Sequence, residues 1–281
     1  SLGLGFWSIF LGIHMVMSGC CKGEQKDTIY KRLFYIITFL LILAFLLSGH
    51  LNDLSLMKEF LNRKTSFFQQ INRHFLLSSL SVIFGLFIGI PLGILIHKKH
   101  SINSPLLFLI NLGQTIPTLS LLGLIMVLLT LTSEKSTFLK RIGVSGVGFS
   151  PAFIVLIIYA LFPIIHNTIA ALKIIDPDLI ETATGLGMKS RQVFWKVQFP
   201  LSLPIIIGGI RIAMTQSIGN SILAGLIGGG GLGSIIFLGL AQAAPDLILL
   251  GVIPLVVMAF LFDSFFSFTI FYYKKRLGLF L

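Results

Sequence analysis

Apolar residues in this chain run in long unbroken blocks divided by short polar gaps, and the blocks show neither the alternation of a half-buried strand nor the stripe of a surface helix. Blocks of roughly 20 residues are what a helix needs to cross the hydrocarbon layer, where every backbone group must be bonded within its own segment or a closed barrel. The pattern predicts spans at Leu33 to Leu51, Phe75 to Ile96, Leu106 to Thr132, Pro151 to Leu172, Ile205 to Ile227 and Leu247 to Tyr273, with a shorter seventh at Leu2 to Gly19. Most are too continuously apolar to be outer-membrane strands.

Composition agrees. Of 281 residues, 55% are hydrophobic and 11% charged, whereas roughly 25% are charged in a soluble domain. The apolar excess excludes intrinsic disorder, and adjacent Cys20 and Cys21 are poorly placed to bridge each other. The net charge of +11 is spread over the gaps rather than gathered into a nucleic-acid-binding patch. Basic residues near a membrane stay on the cytoplasmic side. Lys98, Lys99, Lys274, Lys275 and Arg276 therefore lie inside, and alternation adds Lys22, Lys26, Lys31, Arg32, Lys173, Lys189, Arg191 and Lys196. The smaller set Lys58, Arg63, Lys64, Arg73, Lys135, Lys140 and Arg141 lies outside, and Arg211 falls within a span. The cysteines are then cytoplasmic thiols.

Residues 1–74 read as an N-terminal extension of one or two membrane helices followed by an outer amphipathic segment, Asn52 to His74. The chain begins with Ser1, so a start further upstream is expected. Val16-Met17-Ser18-Gly19-Cys20 is read as the end of a short membrane helix rather than a lipoprotein cleavage site, because no basic n-region precedes it.

The stretch from Lys173 to Pro204 is too polar to span the membrane and too patterned for a plain linker. Asp176 can cap a helix whose first residue is Pro177, with Asp178 favoured in its first turn by the helix dipole. Gly185 and Gly187 end that helix, and Ser190 is expected to cap a second one presenting Val193, Phe194 and Val197 until Pro200 stops it. The spacing of Glu181, Thr182, Ala183, Gly187, Val197 and Pro200 resembles the EAA motif of ATP-binding-cassette (ABC) importer permeases, with Thr182, Val197 and Phe199 as modest departures.

Further segments sharpen the resemblance. Asn111 to Leu119, Tyr159 to Thr168, Ile175-Asp176-Pro177 and Gly228 to Gly233 are similar to permeases for glycine betaine, choline, carnitine and related osmoprotectants. What this implies is an all-α membrane protein: a multi-span bundle with a MetI-like five-helix permease domain over residues 75–281, coupling loop 173–204, in a bacterial inner membrane. The implied partners are separate ABC ATPase subunits, which use the ATP, a second permease copy or homologue, and an extracytoplasmic substrate-binding protein. No cofactor is implied for this chain itself, nor any catalytic role. The glycine run lacks the Gly-Lys-Ser/Thr of a phosphate loop; as an outer segment, Gly228 to Asp246 either turns back into the membrane or packs closely against helices.

Polar residues inside spans are costly and face protein or water. Gln114, Thr115, Asn167, Gln216, Ser217, Asn220 and Asp263 are therefore candidates for the translocation pathway, with Arg211 and Ser221 beside them. Each also has a duller reading: interhelical hydrogen bonding, snorkelling for Arg211, and a carboxylate bonded across the bundle for Asp263. Two other functions compete with this one: a permease for another small solute such as methionine, and an ion-coupled secondary transporter, which would need more intramembrane acids or an inverted repeat. No two of the six histidines have the i, i+4 spacing of a helical metal site.

Overall fold

Gly85, Gly89 and Gly93 fall on one face of a 35-residue helix, α2 (Lys64–Lys98), and there the backbone of a second helix, α5 (Phe149–Lys173), comes against it. A Cβ added at Gly89 would lie 2.8 Å from Ile164 Cγ2, and one at Gly93 would lie 2.7 Å from Thr168 Cβ. Spacing by four places small residues in one row, and such rows let membrane helices pack without the hydrophobic driving force available in water. This is a computed structural model that describes residues 55–98, 108, 110, 112–141 and 143–278. The expected spans Leu2 to Gly19 and Leu33 to Leu51 lie outside them. Among the described residues every regular element is helical.

Two compact units divide after Asn62. The first contributes α1 (Ser55–Asn62). The second begins at Arg63 and holds, among its described residues, five helices long and apolar enough to cross a membrane. At about 1.5 Å per residue α2 is roughly 50 Å long, against a hydrocarbon layer of about 30 Å, so both its ends project. The boundary expected between residues 74 and 75 therefore falls inside a continuous helix. Residues 64–74 interrupt the apolar pattern because they are the outer end of that helix, not a separate segment.

A second correction concerns the span expected from Leu106 to Thr132. Residues 112–115 are helical, but the helix breaks at Ile116 and Pro117, and α3 runs Thr118–Lys135. Proline lacks an N–H and steers the preceding residue away from the helical region. Tyr159 of α5 donates its hydroxyl proton to the exposed Ile116 carbonyl. After α3 come the short α4 (Thr137–Arg141) and then α5.

Beyond α5 lie α6 (Pro177–Gly185), α7 (Ser190–Val193), a π-turn (Phe194–Gln198), α8 (Phe199–Asn220) and a 3-10 segment (Ser221–Ile227). A glycine turn leads into α9 (Leu232–Ala241), which folds back on α10 (Pro245–Arg276). Gly251 sits against Ile236 and the Leu232 carbonyl, and Gly233 lies so near the Ile222 carbonyl that a Cβ there would be 1.9 Å away. The close packing expected of this region is thus present. Between α8 and α10, Arg211 grips Asp263 with two parallel bonds, Nε to Oδ1 at 2.5 Å and an Nη to Oδ2 at 2.7 Å.

Contacts at the two ends group the polar gaps as the alternation of spans does. Residues 73, 148 and 229 meet at one end, through Arg73 Nε on the Gly229 carbonyl (2.8 Å) and Gly148 N–H on the Ile227 carbonyl (2.8 Å). At the other, Ile94 of α2 lies beside the α5–α6 junction and Phe194, and Ile96 packs on Ile165 and Ile169 of α5.

Gly89→Leu and Gly93→Leu are expected to lower the thermal unfolding midpoint in detergent, by the equivalent of about 1–3 kcal/mol of overpacking each. Gly123→Leu on α3, with nothing within 4 Å of the added carbon, should leave it nearly unchanged. For the ion pair, Asp263→Leu alone strands the guanidinium and is expected to lower the midpoint more than the double change Arg211→Leu with Asp263→Leu; fluorescence-monitored melting of both variants checks the order.

Candidate functional site

The inner hairpin is built from its caps outward. Asp176 Oδ1 accepts the Asp178 N–H at 3.0 Å, and Pro177 supplies a first residue that has no N–H to satisfy, so α6 starts where expected. It ends in a Schellman turn: Met188 N–H reaches the Ala183 carbonyl at 3.2 Å and Gly187 N–H the Thr184 carbonyl at 2.9 Å. Gly187 takes φ +83, a left-handed conformation that disfavours any side chain. Space is not its constraint within this chain, since nothing lies within 4 Å of an added Cβ.

The second half departs from expectation in two ways. Lys189, not Ser190, occupies the cap position, its N–H donated to Gln192 Oε1 at 2.8 Å, and Ser190 is the first helical residue. Pro200 does not stop the helix. The π-turn widens the ladder so that the Phe199 N–H bonds the Phe194 carbonyl, and Pro200 then falls in the first turn of α8, where its ring is tolerated. The second half of the hairpin and the span are thereby one continuous rod.

Burial divides the hairpin into an anchor and an exposed face. Val193 and Phe194 turn inward, and Phe194 joins Leu172 and Ile175 in a cluster completed by Ile94, Ile180 and Phe199. Lys98 Nζ lies 4.5 Å from the Phe194 ring centroid, tying the inner end of α2 to the hairpin. Ala183 is buried, Val197 and Pro200 are half-buried, and Glu181, Thr182, Gly185 and Gly187 are exposed. Sequence reading did not single out the apolar residues on the open side: Ile174 is 73% exposed, Leu186 80% and Trp195 54%, with Leu179 beside them. Their signal was large apolar side chains in a segment otherwise too polar to be a core.

Among the intramembrane candidates the structure separates two groups. Ser217 is buried and donates to the Ser78 carbonyl at 3.1 Å, and Ser221 lies 2.9 Å from His74 Nε2, so both belong to the α2–α8 contact and not to an open face. Asn167 donates to the Pro163 carbonyl at 2.8 Å and packs against Gly209, marking the α5–α8 crossing. Asp263 is held by Arg211, which replaces the snorkelling reading of that arginine with a pair across the bundle. Gln114 and Thr115 sit on exposed helical residues just before the Pro117 break, with Gln114 lining a cleft of about 150 Å³ beside Tyr159 and Phe162.

What remains is one face of α8. Ile212, Thr215, Gln216 and Gly219 are exposed at i, i+3, i+4 and i+7, and Asn220 is half-exposed next to them. Uncovered faces of α3 (Leu124, Val127, Leu128, Leu131) and α10 (Phe260, Leu261, Phe265, Phe268) are apolar, as lipid requires. The α8 face is polar at membrane depth and suits water or protein. Among the described residues no three His, Cys, Asp or Glu side chains converge as a metal site.

Most of the chain matches known proteins. Residues 85–278 match the family described as binding-protein-dependent transport system inner membrane component. A carnitine transport permease of Listeria monocytogenes is 36% identical over 187 residues, 66% of this chain and 78% of that protein. A glycine betaine/carnitine/choline permease of Bacillus subtilis is 33% identical over 68% of this chain and 80% of its own. An osmoprotectant import permease of Salmonella typhimurium is 34% identical over 68% and 84%. Among solved structures, the inward-facing MetNI methionine ABC transporter superposes with a TM-score of 0.65 at 21% identity, covering 75% of this chain and 97% of that one. A bacterial alginate ABC transporter superposes with a TM-score of 0.57 at 19% identity, covering 90% and 97%. The five membrane-length helices among its described residues, its capped inner hairpin and these matches make this chain a member of the family of inner-membrane permease components of binding-protein-dependent ABC importers.

Proposed function

We propose that this chain forms the solute pathway of an ATP-driven importer for quaternary-ammonium osmoprotectants such as glycine betaine, choline or carnitine. The observation that carries the reading is the permeases of that substrate class matched over about two thirds of the chain. The chain itself is non-catalytic and binds no cofactor; a separate ATPase uses the nucleotide, and an external binding protein selects the solute. A second permease copy or homologue covers the polar face of α8, so that Thr215, Gln216 and Asn220 line a shared passage instead of meeting lipid. Gln114, Thr115 and Asp263 border that route, and Asn167 and Ser217 act on it through helix packing.

The exposed side of the hairpin, with Ile174, Leu179, Leu186 and Trp195 around Glu181, Thr182 and Gly185, is the surface the ATPase grips. Because the π-turn joins it to α8 without a flexible break, a push on the hairpin moves the span directly.

Reconstituted with its ATPase and binding protein, the chain is expected to accumulate labelled glycine betaine or choline only with ATP. Uptake of methionine alone would replace the substrate class, and uptake driven by an ion gradient without ATP would remove the mechanism. Gly187→Leu forces a side chain into a left-handed conformation at a cost of about 1–2 kcal/mol, and Leu186→Asp puts a charge on the gripping surface. Both should reduce ATPase co-purification and uptake; Leu186→Asp should leave the unfolding midpoint of the permease nearly as it was, and Gly187→Leu should lower it only by the local backbone cost. Normal uptake by both variants would refute the assigned gripping surface.

A further inference from the structure

At the outer end of α2 an arginine is held in place by backbone rather than by an acid. Arg73 Nε donates to the Gly229 carbonyl at 2.8 Å, and its stem lies across Gly230, where an added Cβ would be 2.7 Å from Arg73 Cδ. One turn earlier Gln70 Oε1 accepts the Gly231 N–H at 2.7 Å. These contacts fix the guanidinium while using only one of its three nitrogens. The two terminal nitrogens have no partner among the described residues, and Arg73 is exposed. They border an open recess of about 410 Å³ lined by Gln69, Gln70, Asn72, Arg73, Leu76 and Phe149. One wall is thus a guanidinium flanked by amides, and another is the Phe149 ring, itself stacked on Phe153 at 5.4 Å.

A guanidinium fork matches a carboxylate with two parallel bonds, and an aromatic face attracts an alkylammonium that has no hydrogen to donate. The recess joins both in one cavity on the side from which an importer takes its cargo. We propose that it is an outer staging site for a zwitterionic alkylammonium solute, with the carboxylate on Arg73 and the cationic end toward Phe149. This rests on the osmoprotectant reading above and narrows it: the site favours carboxylate-bearing solutes over choline, which has the cation alone.

The test is made on the complete importer in nanodiscs, following phenylglyoxal modification of Arg73 by peptide mass spectrometry. Glycine betaine is expected to slow the modification several-fold, and choline at equal concentration to leave it unchanged. Equal protection by both solutes, protection by neither, or protection only when the solute-free binding protein is added would overturn the site, the last by making Arg73 a docking contact. In uptake assays Arg73→Gln and Arg73→Lys should lower glycine betaine transport about tenfold, as loss of one charge-assisted bonded pair would, with choline transport kept near that of the unaltered protein. A parallel fall in both solutes would mean that Arg73 only straps the glycine turn. Labelling reads the recess without transport, so a different cargo in the uptake assay counts against the proposed function and is distinguishable from failure of this site.

Discussion

Everything in the membrane domain is hung from the approach of α2 and α5 along Gly85, Gly89 and Gly93. Lipid tails are as apolar as leucine, so two helices gain little by hiding apolar side chains from them; contact must come from tight packing and interhelical bonds. Missing Cβ atoms supply the first. The second comes from His74, Ser78, Ser217 and Ser221, which are buried between α2 and α8 and bonded to one another or to backbone carbonyls. With α2 fixed on both sides, its outer end meets the glycine turn at Gly229 and its inner end meets Phe194 of the hairpin.

That arrangement sorts the polar residues of the spans by what they touch. Those satisfied inside the bundle serve cohesion, as do Asn167 and Ser217. Those left open on α8 have no partner helix among the described residues, and their polarity distinguishes them from the apolar outer faces of α3 and α10. Arg211 and Asp263 are intermediate: oppositely charged, paired with two bonds, and side chains still 39% and 41% exposed. A pair so placed neutralises itself while staying within reach of whatever lies beside α8 and α10.

Much of the fold was legible in the apolar blocks, because a bilayer imposes one length and one backbone solution on any span. The first cap of the hairpin was equally legible, since Asp176 and Pro177 act through local chemistry that needs no tertiary partner. Three features were not. The outer end of α2 looked like a separate segment because a helix leaving the membrane becomes polar without ending. Pro117 and Pro200 have the same chemistry in sequence, yet one breaks a helix and the other opens one; the π-turn that makes the difference is set by packing of Phe194 against Ile175 and Phe199. Polarity alone also could not tell Ser217, facing Ser78, from its neighbour Gln216, facing outward, because a rotation of one residue decides it.

The π-turn between α7 and α8 has a geometric consequence of its own. It holds one residue more than α-helical winding would, and one residue corresponds to about 100° of azimuth around a helix axis. The bearing of Leu186 and Glu181 relative to Gln216 is therefore stored as a phase offset within the chain. Shortening or lengthening this stretch by a single residue would aim the hairpin at a different quadrant beneath the bilayer, so the spacing from Gly187 to Pro200 sets an angle as much as a length.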